Sequence, residues 1–218
     1  MLVRDYMTRH PVMVEPTMSI VEAQGIMSEM QVRHLPVVEQ GKRLVGLVTR
    51  ESMRIPPTEL ASLNVWEITR LLSNMTLADV MVKRENLIAT EPDVALEVAA
   101  QVMIREKVGC LPVVEDGVVV GILTEIDMMA QLTQLLGGNV PGVRATVRMP
   151  NQKGELAKVT GAISEQGWGI YASGGVPTPK DPDHWDCVFK VRDVPKEELL
   201  AVLEKVEGHE VIDIREQR

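Results

Sequence analysis

Apolar residues follow a helical spacing twice along the first 136 residues, and each time two short apolar runs come after it. The helical sets are Ile20, Ala23, Met27 and Met30 in the first copy, and Leu96, Ala99 and Met103 in the second. Residues three and four apart share one face of an α-helix, whereas short apolar runs bounded by turn residues are typical of buried strands. Each copy is therefore predicted to contain a helix, a β-hairpin and a second helix, which starts near Ser52 or Asp127.

Turn and capping residues fit this interpretation. Ser19 with Glu22 has the spacing of a capping box at the first helix, and Asp93 is predicted to cap its counterpart. Glu115–Gly117 contains Asp-Gly, a strong hairpin signal, and Gln40–Lys42 takes its place in the first copy. A unit this small cannot bury its sheet alone, so the two copies are expected to pack face to face.

Proline and glycine residues that break helices and strands predict the boundaries of the copies. Pro56-Pro57 ends the first copy at 1–57, and 58–75 has the pattern of a helical connector. The second copy is predicted at 76–136, followed by a hinge at 137–140 that contains Gly137-Gly138-Asn139.

The remaining residues, 141–218, have a different pattern. Alternating or apolar runs predict strands at 143–149, from 167, at 185–191 and at 210–214, with a Pro-rich loop at 177–183. Helical spacing covers 155–166 and a segment that opens at Pro195. The order βαββαβ is that of a ferredoxin-like sandwich, so the whole chain is predicted to be α/β, more strictly α+β.

Composition narrows the classes of function. The net charge of −8 argues against nucleic-acid binding, which needs clustered Lys and Arg. Two distant cysteines, Cys110 and Cys187, form neither a disulfide framework nor a metal motif. No apolar run is long enough to span a membrane, and no signal peptide is recognisable, so a cytoplasmic protein is expected.

Catalytic and metal-binding patterns are weak. No nucleophile motif, Walker-type loop or dinucleotide fingerprint is present, so the chain is predicted not to be an enzyme. His184 beside Asp183 and Asp186 is the one local cluster of potential ligands. A solvated polar loop is the more usual meaning of such charges, and no metal site is predicted.

The repeated motifs resemble those of the CBS-domain pair, also called a Bateman module. His34–Val38 (HLPVV) recurs as Cys110–Val114 (CLPVV), and Val45–Thr49 (VGLVT) recurs as Val120–Thr124 (VGILT). The resemblance implies a regulatory ligand, an adenosine compound such as AMP, ADP, ATP or S-adenosylmethionine, in the cleft between the copies, and no required cofactor. It also places a ligand motif at Gly121, Thr124 and Asp127.

Each residue of that motif has a physical reason to be there. Gly121 allows a ligand or a neighbouring backbone to approach closely. Thr124 offers a hydroxyl donor, and the Asp127 carboxylate can accept two hydrogen bonds from a ribose diol. Leu111-Pro112, with Cys110 before them, would present an apolar wall to adenine. The alternative is structural: an Asp opening a helix is often an N-cap, and Thr is a good strand former.

The first copy departs from the motif. Gly46 and Thr49 are present, but Ser52 stands where the family has Asp, and serine cannot hold a ribose diol as a carboxylate does. A second, weaker site is therefore expected, with Gly46, Thr49 and Ser52 joined by His34, Leu35 and Pro36. Arg33, His34 and Arg50 either supply positive charge for phosphates or are solvated surface groups.

The C-terminal third resembles an ACT domain, through Asn151, Gly154, Leu156 and Gly167–Ile170. The resemblance implies an amino-acid site at a dimer interface formed by Asn151, Gly154, Leu156, Gly169 and Ile170; the alternative is a dimerising sandwich without ligand. Gly169 replaces the family's Asn.

The domain order resembles acetoin-utilisation regulators, which implies a homodimer that controls acetoin- or acetate-related metabolism through an unidentified protein. An unrecognised nucleotide-hydrolysing enzyme and a structural dimerisation scaffold are the alternatives.

Overall fold

A computed structural model describes residues 1–54, 64, 66, 67, 70 and 74–217. The chain divides into two compact units, Met1–Met128 and Met129–Arg218. This division falls eight residues or more before the hinge predicted at 137–140. The connector helix predicted at 58–75 lies largely outside the described residues.

The first unit contains one six-stranded antiparallel sheet and the helices that cover it. Its elements are α1 (Val3–Tyr6), β1 (Thr8–Arg9), α2 (Ile20–Glu29), β2 (His34–Glu39), β3 (Arg43–Thr49), α3 (Leu77–Val80), β4 (Val82–Lys83), a 3-10 turn (Arg84–Asn86), α4 (Leu96–Glu106), β5 (Cys110–Glu115), β6 (Val118–Thr124) and α5 (Glu125–Leu135), which continues into the second unit. The repeated order of helix and hairpin is confirmed. Residues 51–53, where the second helix of copy one was predicted to start, form a turn.

The hairpin predictions are confirmed in both copies. Asp116 and Gly117 link β5 to β6 with φ angles of 52° and 81°. Two consecutive left-handed residues make the primed turn whose twist matches that of paired strands. In the first copy Gly41 and Lys42, both with φ of 71°, close the longer loop between β2 and β3.

One of the two predicted helix caps is correct. Ser19 Oγ accepts from the Glu22 amide at 3.2 Å, and Glu22 Oε2 accepts from the Ser19 amide at 3.1 Å, so the capping box is confirmed. The cap predicted at Asp93 is wrong. Ala95 occupies that position without a side-chain acceptor, and Asp93 instead forms an ion pair with Arg4 at 2.6 Å.

Each copy begins with a short leader segment, α1–β1 in copy one and α3–β4 in copy two. Each leader packs in the core of the other copy, and sequence periodicity did not predict this exchange. Val3 is fully buried in the core of copy two, and its amide donates to Val94 O at 2.9 Å. Leu77, the corresponding residue of the second leader, is fully buried in the core of copy one, where its amide donates to Met18 O at 2.9 Å. Neither copy therefore completes its core without the other.

Each exchanged leader crosses a strand at a glycine. β1 pairs with β6 at Arg9↔Gly121, and β4 pairs with β3 at Lys83↔Gly46. A Cβ built on Gly46 would lie 2.5 Å from Met81 Sδ and 2.9 Å from the Val82 carbonyl oxygen. These glycines are required because the crossing chain takes the space of a side chain.

The second unit is a four-stranded antiparallel sheet with strand order β10-β7-β9-β8. Its elements are β7 (Gly142–Pro150), α6 (Glu155–Glu165), β8 (Ile170–Thr178), β9 (Asp181–Val191), α7 (Lys196–Leu203) and β10 (Glu210–Gln217). The predicted βαββαβ order is confirmed. The loop predicted at 177–183 is wrong, because β8 and β9 extend through most of it and leave a turn in which Lys180 has φ of 65°.

A continuous core lies on one face of this second sheet and takes in alternate residues of β7 together with α6 and α7. Lys190 points away from that core, next to Phe189 in sequence, and is nevertheless fully buried. Its Nζ donates to Gly142 O at 3.2 Å and to Gln217 Oε1 at 2.8 Å. Gly137, with φ of 66°, packs on the aliphatic stem of this lysine.

Replacing the crossing glycine tests the fold. We expect Gly46→Ala to lower the free energy of unfolding by about 1–3 kcal/mol, because the added methyl group meets the Val82 backbone. Gly25→Ala is the matched control, since a Cβ there meets nothing within 4 Å on the exposed face of α2. That substitution should stabilise by roughly 0.5–1 kcal/mol. Chemical denaturation measures both, and equal effects of the two substitutions would contradict the crossing geometry.

Candidate functional site

A cleft of about 480 Å³ opens between the two copies of the first unit. Two pairs of strand ends meet at it. In copy one His34 begins β2 opposite Thr49 at the end of β3, and in copy two Cys110 begins β5 opposite Thr124 at the end of β6. His34, Thr49 and Cys110 line the cleft, and so does Glu125, which follows Thr124 directly.

Part of the cleft wall is apolar. Leu47 and Cys110 belong to a small buried cluster that joins the two copies, and Leu87 packs against it. All three line the cleft. Burial raises the pKa of the Cys110 thiol to about 12, with a smaller contribution from Glu125. The thiol therefore stays protonated and acts as an apolar surface and not as a nucleophile.

Charged side chains form the rim. Arg33, Arg50 and Glu51 come from copy one, and Lys107 and Glu125 come from copy two. The Arg50 amide donates to the Arg33 carbonyl at 3.3 Å, which holds the two arginines next to each other. In copy two the Glu125 amide makes the same kind of bond to Gly109 O at 3.0 Å. Sequence reasoning named Arg33 and Arg50 but missed Lys107 and Glu125.

His34 lies half-buried among these groups. Burial lowers the pKa of its imidazole, the Glu125 carboxylate partly opposes that effect, and Arg33 adds to it. The neutral ring is therefore favoured near neutral pH. Its position matches that of Cys110 in the repeat, so the two copies present different groups at equivalent places.

The lowered pKa of His34 predicts how stability changes with pH. A histidine whose pKa is lower in the folded state binds fewer protons there than in the unfolded chain. Its protonation therefore lowers the free energy of unfolding as the pH drops below the unfolded pKa of about 6.5, and has no effect well above that pH. We expect the melting temperature of His34→Gln to fall less than that of the wild type between pH 7.5 and 5.5. An NMR titration of the His34 ring in the wild type provides the direct check. A midpoint at or above the unfolded value would contradict the burial argument.

Thr124 and Asp127 form a reciprocal cap at the start of α5. Asp127 Oδ2 accepts from the Thr124 amide at 2.7 Å and from its hydroxyl at 2.7 Å, while Thr124 Oγ1 accepts from the Asp127 amide at 3.4 Å. Thr124 is thus the cap, and Asp127 lies in the first turn of α5. The Thr124 hydroxyl is already used, but Asp127 Oδ1 makes no hydrogen bond with any described residue, and Asp127 is half-buried.

Copy one has the same reciprocal cap, but the hydroxyl of Ser52 takes the place of the Asp127 carboxylate. Ser52 Oγ accepts from the Thr49 amide at 3.0 Å, and Thr49 Oγ1 accepts from the Ser52 amide at 3.0 Å. Ser52 therefore reproduces the local structure of Asp127 but supplies no charge.

Several predicted site residues have structural positions instead. Gly121 faces Met7 and Thr8 of the crossing leader, and a Cβ built on it would lie 2.9 Å from Met7 Cγ. The leader segment of the same chain, and not a ligand, therefore fills that space. The apolar wall predicted at Leu111 is wrong, because this side chain is fully buried in the core of copy two. Leu35 is likewise fully buried in copy one.

The two prolines after these leucines are also buried. Their carbonyl oxygens accept main-chain hydrogen bonds, Pro36 from Val14 at 3.1 Å and Pro112 from Thr90 at 3.0 Å. They lie within β2 and β5, the outer strands of the sheet, and neither lines the cleft.

A separate pocket of about 360 Å³ lies in the second unit. Asn151 and Leu156, two of the residues predicted for an amino-acid site, line it together with Glu155, Trp185 and Cys187. The Asn151 side chain donates to Pro182 O at 3.2 Å. Gly154, with φ of 93°, caps α6 beside this pocket.

Gly169 and Ile170 do not join this pocket within one chain. Ile170 pairs with Val191, which pairs with Val143 at the start of β7, whereas Asn151 follows the other end of that strand. Seven residues of strand separate the two ends by about 23 Å at 3.3 Å per residue. The five residues are therefore not brought together within one chain, and their grouping at a dimer interface stays a prediction.

The cluster around His184 also separates. Asp186 is held by Arg148 through two hydrogen bonds of 2.8 and 3.0 Å, and this pairing lowers its pKa. His184 Nδ1 lies 2.9 Å from Asp181 Oδ2. Within the described residues, no three His, Cys, Asp or Glu side chains are placed to hold a metal ion.

Comparison with known proteins identifies the repeat. The family model described as the CBS domain matches residues 3–54 and 77–133. This chain therefore belongs to the CBS-domain family. None of the helices in the described part of the chain has the length and hydropathy needed to cross a membrane.

Three solved structures show the same fold over the first unit. An acetoin utilization protein (AcuB) from Vibrio cholerae is 32% identical with a TM-score of 0.53, over 64% of this chain and 95% of that one. The CBS domain pair of protein MJ0100, in complex with 5′-methylthioadenosine and S-adenosyl-L-methionine, is 27% identical with a TM-score of 0.51, over 62% and 97%. CBSX2 from Arabidopsis thaliana, in complex with AMP, is 28% identical with a TM-score of 0.50, over 61% and 96%.

Several curated relatives are much longer proteins. The matched segment spans 23% of a homoserine O-acetyltransferase from Methanohalobium evestigatum, to which it is 31% identical over 129 residues. The relationship therefore concerns the CBS pair and not the whole of such proteins.

Proposed function

We propose that this chain is a regulatory protein that binds an adenosine nucleotide in the cleft between its two CBS copies and does not transform it. The observation that carries this proposal is the cleft itself, about 480 Å³ in volume and lined by residues of both copies. A ligand that touches both copies can change their relative populations of conformations, provided that it binds one conformation more tightly than another.

The chemistry of the lining fits such a ligand. Leu47, Leu87 and the neutral thiol of Cys110 offer an apolar surface to an adenine ring. Asp127 lies outside this lining, two residues beyond Glu125. Its Oδ1 is free of hydrogen bonds among the described residues, so a ligand that extends beyond the lining could donate a ribose hydroxyl to it without loss of the contact made by Oδ2. The complexes of MJ0100 and CBSX2 with adenosine compounds support the same ligand class.

The acid of copy two and the serine of copy one provide a paired test. We expect Asp127→Asn to weaken nucleotide binding at least about tenfold, because a carboxylate acceptor is lost while the side-chain oxygen still accepts from the Thr124 amide. Ser52→Asp should strengthen binding or add a second site, since it restores the missing carboxylate in an existing cap. Calorimetry with AMP and ATP measures both.

Ser52→Ala is the control for the loss of a cap, because Ser52 accepts from Thr49 as Asp127 accepts from Thr124. It should cost about 1 kcal/mol of stability and leave nucleotide affinity unchanged. Unchanged affinity in Asp127→Asn would remove Asp127 from the site.

The alternatives differ in what happens to the nucleotide. A stabilising nucleotide recovered intact supports the sensor, recovery as a hydrolysed product supports an enzyme, and a panel without any thermal shift supports a scaffold. At about 100 times its dissociation constant a ligand adds roughly 2.7 kcal/mol, which a melting curve resolves readily.

The second unit suggests a further ligand. Its topology and the pocket beside Asn151 support an ACT-like module that binds an amino acid. Because Gly169 and Ile170 lie at the opposite end of the sheet, a second copy of the chain would have to supply them, and the proposal therefore includes a homodimer. A cytoplasmic location is a separate part of the proposal. The similarity to AcuB supports a role in acetoin metabolism, exerted on a protein still to be identified.

An amino-acid panel tests the second unit. We expect at least one amino acid to raise the melting temperature, and Asn151→Ala to abolish that shift, because Asn151 lines the pocket. Lys153→Ala is the control in the same loop, since Lys153 is exposed and lies outside the lining. A shift that survives in the Asn151 variant, or a flat panel, would contradict this assignment.

A further inference from the structure

The pocket of the second unit combines a carboxylate with apolar surface. Glu155 is the only charged side chain among the described residues that line this pocket. The Cys187 thiol stays protonated, because burial and, to a smaller extent, the charge of Asp186 raise its pKa. Large apolar side chains form another part of the wall, namely Met149, Leu156 and Trp185. The charge of the lining is therefore that of Glu155 alone.

The carboxylate of Glu155 is buried and has one donor. Its side chain is only 9% exposed, and its two oxygens accept from Lys158 Nζ at 2.8 and 3.0 Å. A carboxylate can accept about four hydrogen bonds, so about two places remain. Burial of a charged group is costly unless the group is paired and hydrogen-bonded, so this carboxylate is short of donors.

His209 adds a second acceptor at this place. Its Nδ1 lies 2.9 Å from Glu207 O, and because a carbonyl oxygen only accepts, Nδ1 carries the hydrogen of the neutral ring. Nε2 is then an acceptor that lies 3.4 Å from Glu155 Oε2, in a side chain that is fully buried. It makes no hydrogen bond with any residue that the structure describes. Two buried acceptors thus face each other at the start of α6.

Lys158 can give way to another donor. Its side chain is 56% exposed, so the ion pair with Glu155 is solvated on the lysine side and costs little to break. The ammonium group of a ligand carries the same charge and three donors. Inside the pocket it would form charge-assisted hydrogen bonds with Glu155, which are stronger than those between neutral groups.

Resting on the amino-acid module proposed above, we propose that Glu155 binds the ammonium group of an apolar amino acid in place of Lys158. The side chain of this amino acid contacts Met149, Leu156 and Trp185. The pocket thereby discriminates against acidic amino acids, whose second carboxylate Glu155 repels. It also discriminates against 2-hydroxy acids, which have no ammonium group. Glu155 is the specificity-determining residue of this pocket.

Calorimetry on the full chain tests the proposal with compounds that differ in one group. L-Valine, L-leucine and L-methionine are each compared with the 2-hydroxy acid of the same side chain, in which a hydroxyl replaces the ammonium group. We expect at least one of the three to bind at least about tenfold more tightly than its 2-hydroxy acid, because charge-assisted hydrogen bonds are lost. L-Aspartate and L-glutamate should bind more weakly than that amino acid.

Variants of the ion pair test the charges directly. Glu155→Gln should remove most of the advantage of the amino acid over its 2-hydroxy acid. Lys158→Gln should tighten amino-acid binding roughly threefold or more, because a competing ammonium group is gone, whereas a merely structural pair would leave binding unchanged or weaken it. Glu165→Gln is the matched control, because Glu165 is an exposed carboxylate of the same helix outside the pocket lining. It should bind every compound as the wild type does.

The comparison of ligands on the wild type stays decisive even where a variant fails to fold. Equal affinity for each amino acid and its 2-hydroxy acid, or tightest binding of a polar or acidic amino acid, overturns the role given to Glu155 and leaves the amino-acid module standing. Binding of none of the standard amino acids overturns the proposed module itself.

Discussion

The exchange of leader segments between the two CBS copies is the constraint on which the rest of the first unit depends. Val3 completes the core of copy two and Leu77 completes the core of copy one. Full burial of one such side chain contributes roughly 1.5–3 kcal/mol, so each copy loses a substantial part of its core if the other is removed. The copies are therefore held together by their own hydrophobic cores, and the cleft between them depends on this.

The exchange also explains why the motif glycines do not face a ligand. Each leader passes over a strand of the opposite copy, and at Gly46 and Gly121 its backbone and a methionine take the place of a side chain. The strand ends beyond these crossings, at Thr49 and Thr124, are then free to turn into the caps that position Ser52 and Asp127. The glycines shared by both copies thus serve the crossing, whereas Arg50 and Glu125, which differ between the copies, line the cleft.

Local features were predictable from the sequence, and contacts between copies were not. The Ser19 capping box, the Asp116-Gly117 hairpin and the βαββαβ order depend on neighbouring residues, and the structure confirms them. Burial of Leu111, the exchange of leaders, and the presence of Glu125 and Lys107 in the cleft depend on packing between segments far apart in sequence. Alignment of the two copies could have drawn attention to Glu125, because it stands where copy one has Arg50.

This difference between Arg50 and Glu125 makes the cleft asymmetric. The backbone repeats, with equivalent pairs His34↔Thr49 and Cys110↔Thr124, but the side chains at the rim do not. Copy one brings Arg33 and Arg50, whereas copy two brings Lys107 and Glu125, and the Asp127 carboxylate lies two residues further along α5, outside the lining. Because the lining belongs to both copies, a ligand that binds one separation of the copies more tightly than another would by linkage favour that separation.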